Sequence, residues 1–174
     1  MESSTKPVTT SAVGIRYGLL TGLVSILFSF VQLSFISDPE TPLRWLSIVI
    51  LVVGIVLAHK QYKQANSGFM SYGEGLGIGV IVSAVSGVLS GIFSYIYLTF
   101  IDPGYMQRVM ELTRSRMEEK GMDDAQIDQA MGMAEKFSTG PLSAVFAVVG
   151  ALFIGFLLSL IVSAFTKNAR PEFE

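Results

Sequence analysis

Few residues in this chain could do chemistry, and their spacing speaks against it. The single histidine, His59, has no partner at metal-ligand spacing, and the absence of cysteine removes thiolate chemistry, disulfides and cysteine-based metal sites. His59 stands at the polar edge of an apolar stretch and reads as a membrane-interface residue rather than a proton relay. Acids gather in one place: residues 102–140 hold eight Asp/Glu and five Lys/Arg. Each acid lies beside basic residues on what reads as a solvated helix face, and no histidine, nucleophile motif or metal spacing accompanies them. Asp102 reads as a helix-end turn residue, and Gln32 as the donor of one interhelical hydrogen bond. The sequence therefore points away from an enzyme, with no catalytic, cofactor or metal residue to name. A net charge of −2 without a basic cluster excludes nucleic acid as a partner.

The apolar residues carry the information. Hydrophobic residues make up 51% of 174, and mean hydropathy is +0.55. This composition predicts an all-α polytopic membrane protein with the lipid bilayer as its first partner. Four apolar stretches, charged only at their edges by Arg16 and Arg44, are expected to be transmembrane helices: helix 1 over 14–36, helix 2 over 43–58, helix 3 over 75–101 and helix 4 over 142–165. The first is too long for a signal peptide, and no cleavage site follows it. The second is short for a bilayer core of about 30 Å, with Arg44 and Lys60 free to snorkel outward at its ends. The chain reads as a single membrane domain, residues 1–174.

Small residues recur at four-residue spacing on three of these segments. They are Gly14, Gly18 and Gly22 in the first, Gly75, Gly79, Ser83, Gly87 and Gly91 in the third, and Ala151, Gly155 and Ser159 in the fourth. In lipid such faces let helix backbones approach closely, so these residues are the expected helix-packing set. Residues 28–39 and 93–103 match, sharing Phe-Ser, Leu-x-Phe-Ile and a terminal Asp-Pro, and a Pro-Leu pair later opens each following span. Two helix-hairpin repeats in one orientation are expected.

Residues 104–138 break that symmetry and read as an amphipathic helical hairpin. Met106, Val109, Met110 and Met117 form one apolar stripe, closed by Gly121; Ile127, Met131 and Phe137 form another, begun by Asp123. Six of the eight methionines fall here, and adaptable thioethers suit a partner face as well as a bilayer surface. Basic residues divide evenly between the two sides of the membrane, six and six. The six on the terminal side crowd the span ends, which favours cytoplasmic termini.

The glycine-rich first span, Lys60-x-Tyr62-Lys63, Gly68-Phe69-Met70-Ser71-Tyr72 with Gly75 and Gly79, and Phe100-Ile101-Asp102-Pro103-x-Tyr105 together resemble the DUF4199 family. These are small four-helix bacterial membrane proteins of unknown function, mainly from Bacteroidota, and the resemblance covers nearly the whole chain. It implies fold and an inner-membrane location and transfers no catalytic residue. The expected function is a structural, accessory or interaction protein of the bacterial inner membrane, working with a membrane-protein partner or as a homo-oligomer. The alternative is a small transporter or channel acting as an oligomer, with Ser83, Ser86, Ser90 and Ser94 facing a pore. Against it, no span carries a charged residue in its interior, Arg16 and Arg44 standing at span edges.

Overall fold

The computed structural model describes residues 8–35, 41–138 and 141–170, without the side chains of residues 137, 138, 141–145 and 147. Residues 36–39 of the internal repeat and the side chain of Phe137 lie outside that set. Six α-helices follow one another: α1 Thr10–Phe35, α2 Arg44–Ala65, α3 Tyr72–Ile96, α4 Tyr105–Glu119, α5 Asp124–Ser138 and α6 Pro141–Thr166. A π-helical turn, Tyr97–Ile101, continues α3. No strand occurs among the described residues. The nearest feature is one antiparallel bridge between Met70 and Asn168.

Four helices, α1, α2, α3 with its π turn, and α6, are long and apolar enough to cross a membrane. Their outward faces are apolar: Leu23, Leu27, Trp45, Val53, Ile92, Phe153, Ile161 and Phe165 are all exposed. A surface this rich in exposed aliphatic and aromatic groups is compatible with a multi-pass membrane protein, where acyl chains cover it.

The second span is longer than its apolar run predicts. Hydropathy ends it at residue 58, but α2 continues through Lys60 and Lys63 to Ala65, 22 residues or about 33 Å of helix. Lys60 and Gln64 are exposed, so the added turns are polar outward yet keep their backbone hydrogen bonds. The turn that follows has Ser67 and Gly68 at φ 54° and 89°, a reversal that Gly68 makes at no steric cost.

The third span begins three residues before its uncharged run. Ser71 caps α3: its hydroxyl accepts from the Glu74 N–H (3.2 Å), and the Glu74 carboxylate accepts from the Ser71 N–H (2.7 Å). This reciprocal pair satisfies two of the backbone donors that a helix start leaves open. Asp123 likewise accepts from the Gln126 N–H before α5 (2.8 Å), and Gly121 closes α4 at φ 75°.

Helix α3 is the hub, packing on α1, α2 and α6. Its two faces do different work. Ile81, Val85 and Leu89 press onto Gly14, Gly18 and Gly22 of α1. A Cβ on those glycines would lie 2.8, 2.7 and 2.6 Å from the respective side chains. The thin face of α3 meets α6 instead: a Cβ on Gly75 or Gly79 would lie 3.0 or 2.4 Å from the hydroxyls of Ser163 and Ser159. One turn on the roles reverse, with Ser83 of α3 pressed against Gly155 of α6. Further along, a Cβ on Gly87 would lie 3.9 Å from Ala151, an ordinary contact, and among the described residues nothing stands within 4 Å of one on Gly91. The core is Val13, Ile55, Ala58, Tyr62, Met70, Ile78, Val82 and Val162, set towards the end where α1 begins and α6 finishes.

Candidate functional site

At that end α2, α3 and α6 meet in a polar junction centred on His59. Helix α2 carries His59 on the face that also bears Ile55 and Tyr62, so the same spacing that builds the core places the imidazole inside it. His59 has no exposed surface. Its Nε2 lies 2.8 Å from the Gly75 carbonyl oxygen of α3, and its Nδ1 lies 2.8 Å from Thr166 Oγ1 of α6. One side chain thus joins three helices.

The neighbours extend the junction outward. Lys63, one turn on from His59, donates to the Thr166 carbonyl (3.0 Å), neutralising part of the negative end of α6. The Tyr62 hydroxyl donates to Glu74 (2.6 Å), so the carboxylate that caps α3 also holds α2. Beyond α6, Met70 and Asn168 exchange two backbone hydrogen bonds of 2.8 Å, and the Asn168 side chain donates to the Gly68 carbonyl (2.9 Å). Arg170 lies over the Phe69 ring, 5.5 Å from its centroid. The α2–α3 turn and the end of α6 therefore close on one another.

Glu74 serves two purposes, and its removal should show both. Glu74→Ala is expected to lose about 1 kcal/mol for the cap and about 1 kcal/mol for the Tyr62 bond. A double-mutant cycle with Tyr62→Phe, read by denaturant unfolding in detergent, should return about 1 kcal/mol of coupling.

Hydroxyls line the α3–α6 seam leading from this junction. Ser83 donates to Gly79 O (2.8 Å) and Ser159 to Gly155 O (2.7 Å), while the buried Ser163 hydroxyl has no hydrogen-bond partner among the described residues. Of the four serines considered for a pore, Ser83 and Ser86 are buried and bonded to their own helix, and Ser90 and Ser94 are half-buried. Gln32 is half-buried as well.

At the opposite end Tyr97, in the π turn, is buried, and its hydroxyl is 3.0 Å from the Ser34 hydroxyl. Phe30 and Phe93 pack around its ring. Asp102 follows and pairs with Arg108 of α4, as a residue closing a helix end would. Burial pushes the Tyr105 phenol above its ordinary value, so it stays neutral across physiological pH.

In α4 and α5 the residues expected to form a face are placed as follows. Met106, Val109, Met110, Met117 and Met131 are half-buried, and Ile127 is fully buried. Arg114 links the two helices through Asp128 (3.2 Å). An apolar groove of about 240 Å³ runs between α1 and α2, floored by Gly54 and Thr21. Among the described residues, no group of three or more His, Asp or Glu side chains is placed to hold a metal ion.

His59 is what sequence reasoning missed. Next to Lys60 and Gln61 it looks like the start of a polar connector; its spacing from Ile55 and Tyr62, on one helix face, was the available signal.

These features define an all-helical protein with four membrane-span-capable helices around a glycine-lined hub and a polar junction at one end. The profile of the family described as "Protein of unknown function (DUF4199)" matches residues 16–168, and the chain belongs to that family. No curated protein and no solved structure matches it.

Proposed function

We propose that this chain is an accessory or interaction protein of the bacterial inner membrane, with both termini in the cytoplasm, that presents its α4–α5 hairpin to a membrane-protein partner. The observation that carries this reading is the division of labour in the fold. The bundle helices use their thin faces on one another, while α4 packs chiefly on α5 and keeps a row of half-buried methionines at the margin. Methionine adapts to a partner's surface better than branched side chains do.

The span order supports two hairpin repeats. Helices α1 and α3 run parallel, and each is followed by a second span, α2 or α6, with the amphipathic hairpin inserted before α6. Among the described residues nothing lies within 4 Å of a Cβ on Gly91 or Gly150, a thin surface that favours a second copy as a further partner. This reading gives the chain no catalytic step.

The test uses the absence of cysteine. Ser115→Cys, exposed on α4, should react with a membrane-impermeant maleimide in intact cells. Protection in intact cells with labelling after lysis would reverse the orientation. A photo-crosslinking residue at Met110 should give a discrete heavier adduct; a ladder of lipid adducts alone would remove the partner.

A further inference from the structure

The His59 contacts constrain where its protons sit. A carbonyl oxygen can only accept, so Nε2, 2.8 Å from Gly75 O, carries a hydrogen. Thr166 Oγ1 has one hydrogen and two acceptors at 2.8 Å, Nδ1 of His59 and the Val162 carbonyl of its own helix. With a neutral ring the hydroxyl donates to Nδ1. With a second ring proton, Nδ1–H donates to Oγ1 and the hydroxyl turns to Val162 O. Both arrangements satisfy every polar atom of the set without moving a heavy atom. The remaining tautomer, hydrogen on Nδ1 alone, would set the Nε2 lone pair against a carbonyl oxygen.

The surroundings decide what the second proton would do. On α2, Lys63 stands one turn from His59 on the same face and holds Thr166 O, while Lys60 is exposed. On α3, Glu74 is already engaged by the Tyr62 hydroxyl and the Ser71 N–H. Lys167 just past α6, Arg16 on α1 and Arg170 in the terminal segment are exposed cations. Among the described residues no carboxylate bonds the ring. An imidazolium here would therefore face chiefly positive charge, with Lys63 nearest along its own helix.

We propose that His59 is a proton-binding site held ready for both protonation states, and that its ionisation drives Lys63 off the Thr166 carbonyl and loosens the end of α6 from the α2–α3 turn. The proton reaches Nδ1 by way of the half-buried Thr166 hydroxyl, which hands its hydrogen to the ring, takes one from water and turns it to Val162 O. Acid on the side of the termini then becomes a change in how α6 is fastened.

Because the chain has one histidine, a ¹⁵N-histidine label reports this site alone. The full chain would be placed in phosphatidylethanolamine–phosphatidylglycerol bilayers and observed by solid-state NMR from pH 8 to pH 5. The expected result is Nε2–H alone at high pH and both nitrogens protonated in acid, in a folded protein. Exchange at the Met70 and Asn168 amides, corrected for intrinsic rates, should quicken several-fold in acid, and not in His59→Gln. In Thr166→Val the doubly protonated fraction at a given acid pH should fall several-fold; Thr166→Ser should titrate as the wild type. A ring that stays neutral throughout, an Nδ1–H tautomer at high pH, or an equal acid response in His59→Gln would overturn the proposal. So would a Thr166→Ser variant that no longer titrates, which keeps the test decisive where Thr166→Val does not fold.

Discussion

Gly155→Ala will destabilise the bundle although alanine is the better helix former. A Cβ at this position would lie 2.4 Å from Ser83 Cβ and 2.5 Å from its Oγ. Ser83 Cβ is fixed to the α3 backbone, so the clash cannot be relieved by turning a side chain; α3 and α6 must separate. Overpacking of this kind costs about 1–3 kcal/mol, and the gain in helix propensity of about 1 kcal/mol offsets only part of it. Because backbone must move, the cost falls at the upper end of that range, and the expected net loss is about 2 kcal/mol in reversible unfolding in detergent or bicelles. Bulkier Gly155→Leu should leave no folded protein. The double variant Gly155→Ala with Ser83→Gly should recover most of the loss, since the crossing is reciprocal and Ser83 donates only to its own helix. Gly91→Ala is the control: among the described residues nothing stands within 4 Å of such a Cβ, so it should be neutral or mildly stabilising. Equal effects at Gly155 and Gly91 would mean that helix propensity, and not the crossing, governs these glycines.

The second large effect is expected at His59. His59→Leu keeps the volume and removes the bonds to Gly75 O and Thr166 Oγ1. Neither partner is removed with it, and that asymmetry sets the sign: deleting one side of a buried polar pair costs more than replacing both. Two hydrogen bonds at about 1 kcal/mol each give an expected loss of about 2 kcal/mol. The Thr166 hydroxyl still has Val162 O, which limits the cost. His59→Gln, able to donate to Gly75 O and accept from Thr166, should lose less than half as much. Adding Thr166→Val to His59→Leu should return part of the loss. A His59→Leu variant as stable as the wild type would show that the junction positions α6 without holding it.

The four long apolar helices were legible because each is a local property: enough consecutive uncharged residues, bounded by turns. The same holds for Gly121 closing α4 and for the small-residue spacing on α1, α3 and α6. Boundaries were less legible where polar residues continue a helix, as Lys60 to Ala65 do in α2. Hydropathy reports where a chain meets water, whereas a helix ends only where its backbone bonds end. Ser71 and Glu74 carried the true start of α3, but two glycines lie close by, and the reciprocal cap shows only when both side chains are placed.

What the sequence by itself determined is the class: composition and span length commit this chain to an apolar helical bundle, and its lack of cysteine and its single histidine restrict its chemistry. Which face meets which was decided only by the tertiary structure. The glycines of α1 and α3 look alike along the chain, yet one set receives Ile81, Val85 and Leu89 and the other receives serines of α6. His59 shows the same limit, since an imidazole beside two polar residues reads as exposed until Gly75 and Thr166 close over it. The physical reason is that hydropathy and spacing are summed along one helix, whereas burial and hydrogen bonding depend on atoms that a neighbouring helix brings from far along the chain.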